Sequence, residues 1–324
     1  MNQVTEKLSL KLYYEMLRIR MVEEAIGERY SQQQMRCPVH LSIGQEAIPV
    51  GVLHHVSKTD YLISNHRAHA HYLAKGGSLK KMLAEIYGKS TGCSSGKGGS
   101  MHLIDLEQGI VGTTPIVGGS LPVGVGVAFA EQLKKKTNLT VIFFGEGATE
   151  EGVWAECLNF ASLRSLSLLF VCENNLYSVY SPMSVRQSPK RDREAIAKAH
   201  GIETFTGSGN DLEQVYQVAG KAVEYIKEKA APCYVEFSTY RYREHCGPFV
   251  DPKGYRPEAE EKFWYQQCPL KLYTEKLLKN NSLTEDQLNR FRQEIKLEIE
   301  EAFQFAESSP FPIFNPNESA TVYA

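Results

Sequence analysis

Residues 143–175 read FFGEGATEEGVWAECLNFASLRSLSLLFVCENN, and this stretch decides the fold. It begins at the end of one apolar run and ends with another, and each run is followed by polar side chains that include Glu146 and Asn175. The residues between the runs, 149–163, have an amphipathic pattern that predicts a helix joining two buried strands. In a strand–helix–strand unit both strands run the same way, so their carboxyl ends lie side by side at one edge of the sheet.

The side chains expected at that edge are suited to a metal ion and a phosphate group. The carboxylate of Glu146 and the amide oxygen of Asn175 could face one cation, and oxygen ligands suit Mg²⁺ or Ca²⁺, of which Mg²⁺ is usually completed by phosphate oxygens and water. Gly145 and Gly147 would let the backbone approach those phosphates, and the free N–H groups of the following helix would bind them. A plainer interpretation treats Asn174-Asn175 as a turn, but the two halves together predict a metal–diphosphate site.

The remaining pattern extends the same architecture along the whole chain. Continuous apolar strands separated by helices indicate a doubly wound parallel sheet with helices on both faces. We predict a single domain, 1–324, with an N-terminal helical arm at 1–35 and a C-terminal tail at 308–324. Further helices are predicted at 78–88, 118–133, from 191, 211–229 and 270–307, and strands at 139–144, 166–173, 200–206 and 232–242.

Composition excludes several classes of function. The chain has 324 residues, 42% of them hydrophobic and 23% charged, which is enough for a large core. Its formal net charge of −2, with no long Lys/Arg stripe, argues against nucleic acid as a partner. No run of 18 apolar residues predicts a membrane span, and seven scattered cysteines with no signal-like N-terminus lead us to expect a cytoplasmic protein with reduced thiols.

Two glycine-rich stretches carry more than one interpretation. The glycines of the helix predicted at 118–133 indicate close helix approach, either at a subunit interface or in a buried intramolecular contact. The loop GCSSGKGGS at 92–100 invites comparison with a phosphate-binding P-loop, but that motif needs Gly at position 91 and Ser or Thr at position 98. Thr91 and Gly98 stand there instead, so we predict only a glycine loop near the mouth of the site.

The motifs together resemble one known family. GEGATEEG followed by NN resembles the thiamine diphosphate motif, and the wider text is similar to the α subunit of the E1 component of 2-oxo acid dehydrogenases, the pyruvate and acetoin dehydrogenase group. The similar segments occur in family order over nearly the whole chain: VHLSIGQEA (39–47), SNHRAHAHYLAKG (64–76), GKGGSMHL (96–103), PIVGGSLPVGVGVA (115–128), ENNLYSV (173–179), TYRYREH (239–245) and the closing SSPFPIF…VYA.

The resemblance implies roles for individual residues. It places two active-site histidines at His40 and His245, where imidazoles could exchange protons near neutral pH. The residues implied to bind Mg²⁺ are Glu146, the Asn175 side chain and the Tyr177 carbonyl. Those implied to contact thiamine diphosphate are His66, Arg67, His69, Pro115, Val117, Gly145, Gly147, Ala148 and Asn175.

Three residues depart from the family pattern. Glu146 replaces an Asp and extends the carboxylate by roughly 1.5 Å, which puts the metal geometry in question because Mg²⁺ demands near-ideal ligand distances. Cys246 stands where kinase-regulated relatives carry a serine, so that phosphorylation switch is not expected. His66 replaces a frequent Tyr, and a zinc cluster of His66, His69 and His71 is an alternative with less support.

The activity implied is oxidative decarboxylation of a 2-oxo acid, pyruvate or an analogue, with transfer of the acyl group to the lipoyl domain of an E2 component. The chain lacks a region resembling the β subunit, whose glutamate activates the cofactor in this family, so an α2β2 assembly is expected. Two alternatives stay open: a thiamine-dependent carboligase with another acceptor, since REHCGP resembles a bacterial subgroup found with polysaccharide genes, and a non-catalytic scaffold subunit.

Overall fold

The fold is built on one six-stranded sheet, as seen in a computed structural model that describes residues 5–251 and 254–313. The strands are β1 (Tyr61–Ser64), β2 (Ile110–Thr113), β3 (Thr140–Gly145), β4 (Leu168–Asn174), β7 (Glu203–Ser208) and β8 (Cys233–Ser238), and a hairpin adds β5 (Tyr177–Ser178) and β6 (Ser181–Pro182). All pairs in the large sheet are parallel, in the order β2-β1-β3-β4-β8-β7.

Helices cover both faces of this sheet. On β3 and β4, Phe143 and Val171 belong to one buried core, whereas their neighbours Ile142 and Phe170 belong to a second core on the opposite face. Alternate residues are thus buried on both sides, which explains the continuous apolar runs and confirms the doubly wound α/β prediction. The helices are α1 (Glu6–Tyr30), α2 (Ala47–Leu53), α3 (His69–Ala74), α4 (Leu79–Ile86), α5 (Ser120–Leu133), α6 (Gly152–Leu163), α7 (Met183–Arg186), α8 (Arg193–Ala199), α9 (Leu212–Lys229), α10 (Glu258–Gln266), α11 (Pro269–Lys279) and α12 (Glu285–Ser308).

The structure adjusts several predicted boundaries. Helix α1 ends at Tyr30 rather than at 35, and its apolar face is buried in the large core, so it belongs to the body of the fold. Strand β8 ends at Ser238, four residues before the predicted end. Strands β1 and β2 were not predicted, because each has only four residues in a His- and Gly-rich region. Residues 314–324 of the predicted tail lie outside the described residues.

One glycine of α5 fits the interpretation as a buried intramolecular contact, and another does not. A Cβ on Gly124 would lie 2.3 Å from Ile142 on β3, so this glycine permits a close intramolecular contact between helix and sheet. A Cβ on Gly126 would meet nothing within 4 Å, so that glycine faces open space. Among the described residues, no helix has both the length and the apolar character needed to cross a bilayer.

The glycine loop at 92–100 encloses a carboxylate of the protein itself. Glu85, at the end of α4, is fully buried and accepts four backbone N–H groups, at 2.8 Å from Ser94 and Gly96, 2.7 Å from Gly98 and 3.0 Å from Gly99. Such a ring of N–H groups is an anion site, and its anion here is internal. The N–H groups of the loop therefore bind an internal carboxylate and not a phosphate, and the loop supports the wall of a cavity at the carboxyl edge of the sheet.

We predict that Glu85→Gln destabilises the fold by about 2–4 kcal/mol, because one side-chain acceptor becomes a donor that faces backbone donors in a buried site. Urea unfolding followed by circular dichroism measures this difference. The matched change Glu156→Gln, on an exposed position of α6, should leave the unfolding midpoint within experimental error. Equal midpoints for both variants would show that the loop does not depend on Glu85.

Candidate functional site

The carboxyl ends of β3 and β4 open into one cavity. Gly145 pairs directly with Glu173, so the residues that follow each strand emerge side by side, as the opening stretch predicted. The cavity is also reached by the loops after α1, β1, β2 and β8. Its lining comprises His40, Gln45, Asn65, His66, Arg67, Met101, Pro115, Ile116, Val117, Gly118, Ser120, Phe144, Gly145, Glu146, Gly147, Ala148, Glu173, Asn175, Tyr177, Ser178, Val179 and His245.

Glu146 begins a short 3-10 turn directly after β3 and is 1% exposed. Its Oε1 accepts a hydrogen bond of 2.5 Å from Arg186 Nη2, and the same guanidinium is paired through Nη1 with Glu150. Burial raises the pKa of the Glu146 carboxyl group, and the neighbouring Arg186 opposes that rise. The carboxylate is thus desolvated but already accompanied by a cation.

The side chain of Asn175 is held by two hydrogen bonds at a tight turn. Its Oδ1 accepts the N–H of Tyr177 at 3.1 Å, and its Nδ2 donates to Gln45 Oε1 at 3.2 Å. The intervening Leu176 has a φ of 71°, a left-handed conformation that turns the chain back toward the cavity. An amide oxygen has two lone pairs, so Oδ1 keeps one acceptor position while its orientation is fixed.

The backbone next to Glu146 is closely approached by the β5–β6 hairpin. A Cβ on Gly147 would lie 3.1 Å from Ser178 Oγ and 3.3 Å from Ser178 Cβ, so a larger residue would force the hairpin outward. Glu146, Asn175 and Tyr177, which all carry oxygen atoms able to bind a cation, line one cavity beside a glycine backbone. This donor set fits a hard divalent ion and a diphosphate, on condition that Arg186 shares or releases the Glu146 carboxylate.

Three histidines meet on another wall of the cavity. The ring centroids of His40 and His66 are 4.8 Å apart, those of His40 and His245 are 5.1 Å apart, and those of His66 and His245 are 5.3 Å apart. The Nδ1 atom of His40 is buried without a hydrogen-bond partner. Burial, and then the charge of Arg67, lowers the pKa of His40 to about 2, of His66 to about 3 and of His245 to about 4.

The low pKa values change the expectation that His40 and His245 exchange protons near neutral pH. Both imidazoles are neutral at pH 7, so each offers one N–H donor and one lone pair. As bases they are weak, and once protonated they would release the proton readily. A third neutral ring, His66, stands beside them.

Arg67 lies behind the histidines and is buried. It donates to the carbonyls of Leu41 at 2.7 Å and His245 at 3.1 Å, and in the described part of the chain no carboxylate pairs with it. Burial, reinforced by Arg241, lowers the pKa of Arg67 to about 9, so it stays charged at pH 7. A desolvated guanidinium without an ion-pair partner is a favourable place for an anionic ligand.

His69 is not part of the cavity lining. It is fully buried, and its ring nitrogens bond Glu23 at 2.9 Å and Ser100 at 2.7 Å, so both are already satisfied. His69 therefore joins α1, α3 and the glycine loop, and its expected contact with a cofactor stays a prediction. His71 turns elsewhere, toward Ser64 at 2.9 Å.

The zinc alternative built on His66, His69 and His71 is therefore wrong, because their side chains have different partners. The three-residue cluster that the described residues form instead contains His40, His66 and His245, with ring nitrogens within 4.8 Å of one another. This grouping joins three distant segments of sequence, so linear spacing did not reveal it.

Arg186 was also missed, since nothing in its sequence context distinguishes it from a surface arginine.

The mouth of the cavity is apolar and exposed. Pro115 and Val117 line it, and the side chain of Ile116 between them is 70% exposed. On the opposite side, Val179 and Tyr180 of the hairpin turn are also exposed, and Val179 has a φ of 54°. Exposed apolar side chains at the rim of a polar cavity mark a surface suited to a ligand or a partner.

We predict that the histidine cluster makes the protein less stable in mild acid. The unfolded pKa of histidine is about 6.5. Because the folded values lie well below that, the unfolded chain takes up protons first and stability falls as the pH drops from 7 toward 4. Urea midpoints at pH 7.5 and pH 5 should therefore differ less in His66→Gln than in the wild type. His200→Gln, at the end of α8, should keep the wild-type difference, and an unchanged pH dependence in His66→Gln would contradict the prediction.

Comparison with known proteins identifies the family of this chain. The family model described as "Dehydrogenase E1 component" matches residues 14–314. The chain is 37% identical over 308 residues to a pyruvate dehydrogenase E1 component subunit alpha of Rickettsia felis, covering 95% of this chain and 94% of that one. It is 36% identical over 310 residues to the alpha subunit of an acetoin:2,6-dichlorophenolindophenol oxidoreductase of Bacillus subtilis, covering 95% and 92%.

A plant relative is more distant. Subunit alpha-3 of a chloroplastic pyruvate dehydrogenase E1 component from Arabidopsis thaliana is 33% identical over 316 residues, covering 95% of this chain and 73% of that one. The parallel sheet, the cavity at its carboxyl edge and the family match over nearly the whole length agree with one another. The chain belongs to the dehydrogenase E1 component family, with the alpha subunits of pyruvate and acetoin dehydrogenases among its relatives.

Proposed function

We propose that this chain is the α subunit of an E1 component that uses thiamine diphosphate and Mg²⁺ to decarboxylate a 2-oxo acid, pyruvate or an analogue, and passes the acyl group to a lipoyl domain. The observation that carries the proposal is the convergence of Glu146, Gly147 and Asn175 at one end of a cavity whose other wall holds His40 and His245. Thiamine diphosphate, when bound, would supply the carbanion and the electron sink for decarboxylation.

The chain's own residues would bind and orient the cofactor. Glu146, Asn175 and the Tyr177 carbonyl would hold the metal, and the backbone of Gly145, Gly147 and Ala148 would face the diphosphate. Arg67 is unpaired in the described part of the chain and buried, so it can compensate an anionic charge without first breaking an ion pair. Pro115 can offer only its carbonyl to an aminopyrimidine, so an N–H contact there would come from Val117.

The histidines would act on the substrate side. A neutral imidazole can donate a hydrogen bond to a developing oxyanion or accept a proton, and three such rings keep the site free of additional positive charge. Burial and then the charge of Arg67 lower the pKa values of these histidines, so an anionic cofactor beside Arg67 would offset the second cause and raise the pKa values. His40 and His245 are the proposed catalytic pair, and His66 would position them.

A β subunit is proposed to cover the mouth of the cavity in an α2β2 assembly. Support comes from the exposed apolar residues Ile116, Val117 and Val179 that surround the opening. Covering them would exclude water and strengthen the electrostatic interactions inside. Gly126 on α5 also faces open space, where a second backbone could approach closely.

Cofactor binding depends on the Asn175 amide in this proposal. We expect Asn175→Ala to weaken binding of thiamine diphosphate with Mg²⁺ at least about tenfold, because one oriented oxygen ligand is lost, with calorimetric titration as the measurement. Asn138→Ala removes a half-buried amide that donates to the Thr59 carbonyl outside the cavity lining, and this variant should bind the cofactor as the wild type does. If the wild type, tested with its β subunit, binds no cofactor, the thiamine assignment is wrong.

If a β subunit covers the mouth of the cavity, a charged side chain placed there should prevent assembly. Val117→Asp should prevent co-elution of this chain with a β subunit in gel filtration, because a carboxylate would be buried in the interface. Leu297→Asp, at an exposed position on α12, should assemble normally. Full decarboxylase activity from this chain alone would contradict the need for β.

The substrate and the acceptor of the acyl group distinguish the proposed activity from the alternative functions. An acetoin-type substrate is the second candidate, favoured by the 36% identity to the Bacillus subtilis oxidoreductase subunit. Assays of the assembled enzyme with pyruvate and with acetoin should follow reduction of a lipoyl domain, reduction of a dye and formation of carbon–carbon bonded products. Lipoyl reduction supports the proposal, whereas products of carbon–carbon bond formation alone indicate a carboligase, and inactivity despite assembly indicates a scaffold.

A further inference from the structure

Arg186 occupies one side of the proposed metal site. It ends α7, where its Nε donates to the Ser181 carbonyl at 3.1 Å and its other nitrogens pair with Glu146 and Glu150. The Arg186 side chain is 12% exposed and that of Glu146 is 2% exposed, so the ion pair is largely desolvated. A Cβ on Gly147 would lie 3.6 Å from Arg186 Nη1, which puts the guanidinium beside the backbone expected to face the diphosphate.

The extra methylene of Glu146 gives this contact a physical reason. A glutamate carboxylate reaches roughly 1.5 Å further from the backbone than an aspartate carboxylate would. Mg²⁺ requires near-ideal ligand geometry at about 2.0–2.1 Å, so a displaced carboxylate is a poorer metal ligand unless its surroundings adjust. The extended carboxylate is well placed, however, to meet an arginine fork from the hairpin side.

We propose that Arg186 is an internal cation that competes with the divalent metal for Glu146, so that this chain binds its metal more weakly than it would without Arg186. The inference rests on the proposed function, because it concerns the metal of that same site. If the Glu146 carboxylate binds the guanidinium and a divalent metal at the same time, the two cations lie close together and repel each other. If the guanidinium is instead separated from the carboxylate, a buried charge loses its partner. Metal binding therefore requires Arg186 to release Glu146 while it keeps Glu150 as its partner.

The surrounding structure lets Arg186 move without loss of the fold. The segment after α7 is fastened separately by Arg193, whose Nε donates to Glu236 at 2.9 Å and whose Nη1 donates to the Gln187 side chain at 2.8 Å. Gln187 in turn donates to Glu150 at 2.7 Å. Substitution of Arg186 is therefore expected to free Glu146 while α8 and the segment before it keep these anchors; the hairpin loses the Arg186–Ser181 contact and keeps its β5–β6 pairing.

Competition can be tested by counting bound Mn²⁺, a spectroscopically visible substitute for Mg²⁺, by electron paramagnetic resonance with saturating thiamine diphosphate and the β subunit present. Because the Glu146 pKa is raised by burial and Arg186 opposes that rise, the titrations are run at pH 8 so that the carboxylate stays ionised in the variants. Arg186→Gln should bind Mn²⁺ at least about fivefold more tightly than the wild type.

Two further variants make the result specific. Arg191→Gln removes a neighbouring cation that bonds Thr149 rather than Glu146, so it should leave the Mn²⁺ affinity within about twofold of the wild type. Glu146→Asp should also tighten binding, because the shorter side chain leaves Arg186 behind. The double variant with Glu146→Asp and Arg186→Gln should gain less Mn²⁺ affinity than the product of the two single-variant gains, because both substitutions act on one contact.

The outcomes separate this inference from the proposed function. Unchanged or weaker Mn²⁺ binding in Arg186→Gln would overturn the inference while leaving the thiamine assignment intact. An equal gain in Arg191→Gln would also overturn it, because the effect would then be general repulsion between cations and the metal. Failure of the wild type and of every variant to bind either Mn²⁺ or thiamine diphosphate would overturn the proposed function, and the inference with it.

Discussion

The parallel pairing of β3 with β4 is the constraint on which the rest of the site depends. It aligns Gly145 with Glu173 and so delivers Glu146 and Asn175 to one edge of the sheet. The pairing is stabilised from both faces, since alternate residues of the two strands enter two separate hydrophobic cores. Because the strand backbones are rigid and buried, the flexible parts of the site are confined to the side chains and short loops beyond their ends.

Buried charge is distributed so that the cavity remains open to an anion. Arg67 has carbonyl partners, and the nearby imidazoles are kept neutral by burial and by Arg67 itself. The carboxylates of the surrounding shell are used internally: Glu85 organises the glycine loop, and Glu46 pairs with Arg20 at 2.5 Å. The result is a cavity with Arg67 behind one wall and two carboxylates in its lining, of which Glu146 pairs with Arg186 and Glu173 lies 3.3 Å from His71.

Several loops that carry site residues are joined by buried polar contacts. Glu23 on α1 accepts the backbone N–H of Ser42 at 2.9 Å and also bonds His69, which reaches Ser100. The N-terminal helix therefore helps to set the position of His40 and of the glycine loop, although it contributes no residue to the cavity. A wall built in this way is preorganised, which is the condition for electrostatic stabilisation of a reacting group.

Much of this arrangement could be predicted from local sequence. The apolar runs of β3 and β4 and the helix between them specify a crossover, and a crossover leaves little freedom for the positions of Glu146 and Asn175. The identities of His40, Arg67 and His245 were suggested by resemblance of short motifs. Strands β1 and β2 were not predicted, because four-residue strands carry too little periodic signal.

The sequence by itself determined the class of fold, the edge of the sheet at which the cavity lies and the residue types proposed to face a phosphate and a metal. Only the tertiary structure decided that His66 joins His40 and His245 while His69 turns to Glu23, and that Arg186 meets Glu146. The physical reason is one of range. Periodicity and motif spacing report contacts along a single strand–helix unit, whereas these side chains come from segments far apart in sequence whose meeting depends on how the whole sheet packs.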